Sequence, residues 1–371
     1  MPDGRIVDFG GQTPKFSDDA GKTWTEVLPA GATSTTATLG EGDVIAAPNG
    51  DIVGVSWYML GADSVISFKY EAASKDWLYS IVPVHQPFFD RPELTVVPGP
   101  LNVGGEKAPY AVILKGGSAL RAVFYYSLDG LNYTKINARQ EAIRAPAVES
   151  WLTTTRAPIN DWIQSHEWSG LTPLGDGRVL SLPSPIDAID ETAPDRAFIL
   201  DLATLTWSPF ELPNGRDIPT SGRLLTDSRG WLHHALWGRD TFTYRISVDA
   251  GRRWTERTFS LPEPYVRTNE DARHNSFKVN GRLGVAAVAI HAYRGSDDNT
   301  RDFVFKLDVS GRTPKLTRTY AVGLGNGAYG AGVRDAEGRY DFTNIAILPD
   351  GRLATSFADL STSVPALAIE L

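Results

Sequence analysis

Along most of this chain, apolar and polar residues alternate in short runs, and a glycine turn splits each run in two. A period of two puts successive side chains on opposite faces of a strand, so each run predicts a β-hairpin rather than a helix. The first run is PDGRIVDF, turning at Asp3-Gly4. PNGDIVGVSW follows at Asn49-Gly50 and VGGEKAPYAVIL at Gly104-Gly105. LGDGRVLSL turns at Asp176-Gly177, DSRGWLHHAL at Arg229-Gly230, VNGRLGVAAVAI at Asn280-Gly281 and LPDGRLATSF at Asp350-Gly351. Asp-Gly and Asn-Gly readily take the positive φ angles of tight hairpin turns. The spacing is roughly the 40–50 residues of one propeller blade, with some longer intervals. A weak 3.6-residue period is found only over 140–163.

After several hairpins comes a further strand and then an acidic turn. SDDAGKTW, Ser17 to Trp24, is the fullest form; SVDAGRRW, Ser247 to Trp254, repeats it with Arg253 in place of threonine. SLDGLNY, Ser127 to Tyr133, is one residue shorter, and YEAASKDW and LDLATLTW are worn copies. The pattern S-x-D-x-G-x-T-W resembles the Asp box, or BNR repeat, of the sialidase-like β-propeller superfamily. The resemblance extends along nearly the whole chain. It implies that Asp19, Asp129 and Asp249 are structural: the carboxylate accepts backbone N–H bonds, glycine takes positive φ and tryptophan packs on the blade. A calcium loop would need several oxygens at alternating positions, which this repeat lacks.

The expected fold is therefore all-β: a single β-propeller over 1–371, with four-stranded antiparallel blades joined by Asp-box turns. Sialidases have six blades. Here the N-terminal segment offers RIVDFG, PKFSD and TWTEV without an innermost strand, and the C-terminal segment offers FTNIAIL, RLATSF and PALAIEL. Six strands are too many for one blade. Seven blades are expected, incomplete where the chain ends meet, with six as the alternative. The missing inner strand is then expected upstream of Met1.

Composition narrows the chemistry. The 371 residues carry a formal net charge of -8, which argues against nucleic acid as a partner. No cysteine is present, so disulfides, thiol nucleophiles and zinc–thiolate sites are excluded. No apolar run reaches the ~20 residues of a membrane span. MPDGRIVDFG does not read as a leader peptide. The expected setting is secreted or cell-surface, with the cytoplasm still open. The protein is expected to be a monomer.

In a propeller the glycine hairpins and acidic turns share one face. The loops leading into each inner strand, and those joining the second strand to the third, share the other, where ligand sites usually occur. The loops into the inner strands carry Glu41 and Asp43, His85, Asp90 and Arg91, His166 and Glu167, Arg273, His274 and Asn275, and Tyr340 and Asp341. The other loops carry Trp57 and Tyr58, Lys115 and Arg121, Trp237, Arg239 and Asp240, and His291, Tyr293 and Arg294. His233 and His234 lie within a strand, where alternation makes one of them a core residue.

DARHNSFKVNGRLGVAAVAIHAYRG is the sharpest constellation, because antiparallel pairing brings His274 and His291 to the same end of one hairpin. Locally it resembles the ulvan lyases among BNR-repeat proteins: His-Asn ahead of the inner strand, a glycine turn and a later histidine. That resemblance implies a polysaccharide lyase cleaving a uronate-containing glycan by β-elimination. His274, His291, His166 and Tyr340 are then the catalytic candidates. Arg91, Arg239, Arg294, Tyr293, Trp237, Asn275 and His85 are the substrate-binding candidates. Histidine titrates near neutrality and suits the base, while arginine neutralises the uronate carboxylate. The plainer reading makes His274 a loop cap and His291 an exposed strand end.

The alternative is an exo-acting glycoside hydrolase of sialidase-like type. Against it, the usual Arg-Ile-Pro element is absent and no clear Tyr/Glu pair is assigned, although Asp43, Glu167 and Asp341 leave carboxylate chemistry open. A non-catalytic glycan-binding propeller is the third reading. No cofactor is expected beyond a structural or channel calcium.

Overall fold

The structure is a computed structural model of the 371-residue chain. It describes residues 6–8, 15–19, 21–26, 39–58, 64–83, 90–118, 121–136, 171–181, 197–210, 223–267, 276–294, 297–322, 344–359 and 364–370. Every regular element among them is a β-strand. The stretch 140–163 lies outside the described residues.

The strands form two compact units. Unit 1 holds four sheets. The first is β1 (Ile6–Asp8), β2 (Lys15–Ser17) and β3 (Thr25–Glu26). The second is β4 (Leu39–Ala46), β5 (Ile52–Tyr58), β6 (Ser64–Glu71) and β7 (Asp76–Pro83). The third is β8 (Asp90–Val103), β9 (Glu106–Ser118), β10 (Arg121–Ser127) and β11 (Thr134–Lys135). The fourth is β12 (Leu171–Gly175), β13 (Arg178–Ser181), β14 (Ala197–Asp201) and β15 (Thr206–Phe210).

Unit 2 holds three sheets. The fifth is β16 (Arg223–Thr226), β17 (Leu232–Trp237), β18 (Thr241–Ser247) and β19 (Thr255–Ser260). The sixth is β20 (Tyr265–Arg267), β21 (Ser276–Asn280), β22 (Val285–Arg294), β23 (Asp297–Asp308) and β24 (Lys315–Val322). The seventh is β25 (Asn344–Ile347), β26 (Leu353–Asp359) and β27 (Val364–Ile369).

All pairings are antiparallel and join neighbours in the chain, except that β22 takes both β20 and β21 on one edge. Five sheets begin with a glycine hairpin between their first two strands, and in the sixth the hairpin joins β21 to β22. The triplet β1–β3 has no such hairpin among its described strands. The described residues thus form six blades, not the seven expected: the N-terminal triplet shares the acidic turn, but no inner strand pairs with it among them, and the Asp3-Gly4 turn lies outside the described residues.

Within each unit, successive sheets pack face to face. In unit 1, Phe124, Ile113 and Val97 of the third sheet meet Val179, Leu200 and Trp207 of the fourth. Val53, Val55 and Val65 of the second meet Tyr110, Val112 and Tyr125 of the third. Val7 of β1 packs against the Ile66 and Phe68 cluster of the second sheet. In unit 2, Phe242, Tyr244 and Ile246 meet Phe277, Val288 and Phe305. Ala287, Ala289 and Val304 meet Ile345 and Leu353. Sandwiched sheets are buried on both faces, which favours continuous apolar runs such as Ala286–Ile290 over strict alternation.

The acidic turns are closed by their own side chains. Asp19 Oδ1 accepts the backbone N–H groups of Lys22 (3.0 Å) and Thr23 (2.8 Å), while the Ser17 hydroxyl donates to Asp19 and accepts from Gly21 N. Ser127 with Asp129, and Ser247 with Asp249, repeat the arrangement. Hydrogen bonds to the charged form hold the Asp19 carboxyl down at about 2, the Thr23 hydroxyl and N–H contributing most.

Candidate functional site

The two ends of each sheet differ in chemistry. At one end the glycine hairpin bonds to the turn between the third and fourth strands. Leu202 N donates to Gly177 O, and Val309 N donates to Gly284 O. Asp51 Oδ1 accepts from Ala72 N at 3.0 Å. Neighbouring sheets interlock at this end too. Gly104 N donates to Leu202 O in unit 1. In unit 2 the Arg229 guanidinium donates to Val309 O and Ser310 O. Structural bonds tie hairpins and turns together at this end.

Asp227 is the centre of one such set of bonds. Asp227 Oδ2 accepts from Arg229 Nε at 2.8 Å and pairs with His233 Nε2 at 3.0 Å. His233 Nδ1 lies 3.0 Å from Tyr244 Oη. With an ionised Asp227, the imidazole Nε2–H donates to the carboxylate, so Nδ1 accepts from the tyrosine hydroxyl. Burial lowers the His233 pKa, and Arg229 is the leading hydrogen-bond contribution that lowers the Asp227 pKa against its desolvation. Tyr244 and His233 are both fully buried, so this Tyr–His–Asp chain cannot meet a substrate. It is structural.

The opposite ends carry the candidate loops. β22 leaves the hairpin at Val285 and runs to Arg294, which puts His291 about 20 Å from the hairpin end. Position 291 therefore lies at the end of unit 2 opposite the acidic turn that ends at Trp254. β21 pairs with β22 only as far as Ser276 opposite Ala289. β20 then takes over the edge, with Arg267 opposite Ala292, Val266 opposite Tyr293 and Tyr265 opposite Arg294. The 268–275 connection leaves opposite Ala292 and returns opposite Ala289, so its two ends bracket Ile290 and His291. On the other edge, His291 is in register with Asp302. A bulge interrupts the ladder between Tyr293 and Arg294; such irregularities re-aim side chains and are common beside active sites.

The other candidates fall as follows. His274, Asn275, His166, Tyr340 and His85 lie outside the described residues, as do Arg273, Glu167 and Asp341. Arg91 is in β8, and Tyr293 and His291 are in β22; for these three the strand position is what the structure describes. Arg294 is exposed at the end of β22, and Arg239 is exposed in the turn after β17. Trp237 is buried in the core between the fifth and sixth sheets, so it has no open face for a sugar.

Two carboxylates at this end are structural. Asp43 Oδ2 accepts from Leu94 N of the next sheet at 2.8 Å, and Oδ1 accepts from Val44 N. Glu93 Oε1 accepts from Leu171 N of the sheet after that, at 3.2 Å. Both tie one inner strand to the next. Lys115, in register with Glu93, is fully buried rather than held in a loop.

Sequence reasoning missed β20. Its signal is the short run YVR after a proline, which is too brief to stand out. It also expected only one of His233 and His234 to be interior; both are buried, one on each face of β17. Among the described residues no three His, Cys, Asp or Glu side chains are grouped to hold a metal ion. No helix among them is long and apolar enough to cross a membrane.

No family model matches the chain, and no curated protein sequence matches it. Solved structures do. The GH93 α-L-arabinofuranosidase of Fusarium graminearum, in complex with arabinobiose, is 11% identical over 92% of this chain and 95% of its own, with a TM-score of 0.50. A Bacteroides uniformis protein provisionally described as a 6-phosphogluconolactonase is 9% identical over 98% and 94%, with a TM-score of 0.51. The Hadza microbial sialidase Hz136 is 10% identical over 88% of this chain, with a TM-score of 0.47; this chain spans 64% of that one. At these identities the likeness is one of fold: an all-β propeller built from four-stranded antiparallel blades.

Proposed function

We propose that this protein is a glycoside hydrolase acting on a glycan at the end of the sheets where β22 overruns β21. The observation that carries the reading is the fold likeness to the GH93 α-L-arabinofuranosidase across 92% of the chain. The loops opposite the glycine hairpins include the exposed Arg294 and Arg239, which supply cationic donors there. The lyase reading rested on His274 and His291, and none of the three solved structures named above is described as a lyase. Hydrolysis needs a carboxyl acid and a second carboxylate or an activated water. With Asp43 bound into a strap, Asp341 is the carboxylate of unit 2 among those weighed from the sequence, and Glu167 is the one that remains in unit 1. Arg294 and Arg239 would hold the sugar's oxygens through guanidinium hydrogen bonds. An enzyme of this kind belongs outside the cell, where polymeric glycans are met.

Incubation with arabinofuranosyl, sialyl and uronosyl glycans, read by both reducing-end release and ultraviolet absorbance, tests this. Hydrolysis yields reducing ends without the absorbance of an unsaturated uronate. Glu167→Gln or Asp341→Asn is expected to lower the rate by about 10²–10⁴-fold with the fold unchanged. Ultraviolet-absorbing product instead would overturn the hydrolase reading in favour of elimination. Binding without release from any glycan would point to a non-catalytic module.

A further inference from the structure

We propose that the outer edge of β7 is a self-association edge, along which two copies of this chain join their second sheets by antiparallel β7–β7 pairing. The inference is independent of the proposed function and concerns a different surface. Every outermost strand presents unpaired N–H and C=O groups, and proteins blunt such edges with short strands, charge or proline. Six of the seven outer strands here are blunted. β3 and β11 are two residues long, and β15 and β27 contain Pro209 and Pro365. β19 carries Glu256 and Arg257, and β24 carries Lys315 and Arg318.

β7 has none of these protections in its middle. It is eight residues long, DWLYSIVP, with its acid at the first position and its proline at the last. Five large hydrophobic side chains are exposed among the described residues, and three of them are on this strand: Leu78 at 37%, Tyr79 at 37% and Ile81 at 58%.

Charge selects the occupant. Each copy carries a formal net charge of -8, so two copies repel unless they meet where charge is absent. From Trp77 to Pro83 there is no Asp, Glu, Lys or Arg, so an identical strand meets neither a like charge nor an unpaired one. A twofold axis through Ser80 also preserves the pleat. Ser80 lies opposite Ser80 of the second copy, and each Tyr79 lies opposite the second copy's Ile81. An aromatic residue beside a β-branched one is a favourable cross-strand pair, and the twofold makes it twice.

The absence of cysteine makes the test direct. Ser80→Cys introduces the chain's one thiol where the twofold would bring two copies together. Under mild oxidation at micromolar concentration it is expected to form a disulfide dimer at least ~10-fold faster than Thr255→Cys on the charged edge β19. Sedimentation of the unmodified protein is expected to show a concentration-dependent dimer, which Ile81→Lys weakens by ~10-fold or more while leaving circular dichroism unchanged. A protein that stays monomeric at every concentration overturns the proposal. So does a dimer that Ile81→Lys leaves intact, or equal cross-linking of the two cysteine variants. Should Ile81→Lys fail to fold, the cysteine comparison decides alone.

Discussion

His233 and His234 are adjacent in the sequence and meet opposite fates. The first is held between Asp227 and Tyr244. The second is buried with both ring nitrogens lacking a partner among the described residues, and burial, with Arg245 nearby, pushes its pKa down to about 3. Both rings are neutral in the folded state, whereas in the unfolded chain they take a proton near pH 6.5. A histidine with a depressed folded pKa stabilises above its unfolded value and loses that contribution as pH falls. Stability is therefore expected to decline from pH ~6.5 towards pH ~3. Denaturant titrations at stepped pH check this, and a stability that is flat across that interval would refute it. Asp227→Ala leaves Arg229 and His233 facing a gap and is expected to cost about 3 kcal/mol. His234→Leu removes two unsatisfied nitrogens and is expected to change stability by less than ~1 kcal/mol, in either direction. A loss of more than about twice that would show that a buried water serves the ring.

At the scale of the element, hairpins and acidic turns are local devices whose close packing makes them exacting. Gly281 sits against the Asp227 carboxylate, and an added Cβ would collide with its oxygen and carbon atoms. Gly281→Ala is expected to cost about 1–3 kcal/mol. Gly311 has open space and no positive φ, so Gly311→Ala is expected to be near neutral; thermal unfolding of the pair makes the comparison. In the acidic turns the aspartate oxygens are already occupied by N–H and O–H donors, which leaves no oxygen cage for a cation. Chelator treatment is expected to leave the melting temperature unchanged, and a drop would show that an ion is held in another loop. The hairpins and acidic turns were legible in the sequence because positive φ and the Ser-x-Asp pattern are properties of a few consecutive residues. β20 was not, because a three-residue strand exists only through the neighbour it pairs with.

At the scale of the whole molecule, closure of the last sheet depends on one side chain near the end of the chain. Glu370 accepts from Lys306 Nζ (2.7 Å) and Tyr320 Oη (2.5 Å) of the sixth sheet, and from Leu353 N of its own. These bonds hold its carboxyl below the usual range against desolvation. Among the described residues the seventh sheet has three strands, and this latch ties them to the sixth sheet. Glu370→Ala is expected to cost about 3 kcal/mol at neutral pH, and the loss should fade as pH falls from the carboxyl's unfolded pKa through its lowered folded value. Equal losses at neutral and acid pH would mean that packing, not charge, is what Glu370 provides. The sequence by itself determined the all-β class and the repeating hairpins, because each is encoded in local alternation and turn chemistry. Tertiary structure decided what the side chains do. Asp43 became a strap and Trp237 a core residue, both histidines of β17 went inside, and β20 displaced β21 from the edge of β22. Sheets stacked face to face bury both sides of a strand, so the polar–apolar alternation that marks a strand cannot say which neighbour each side chain will meet.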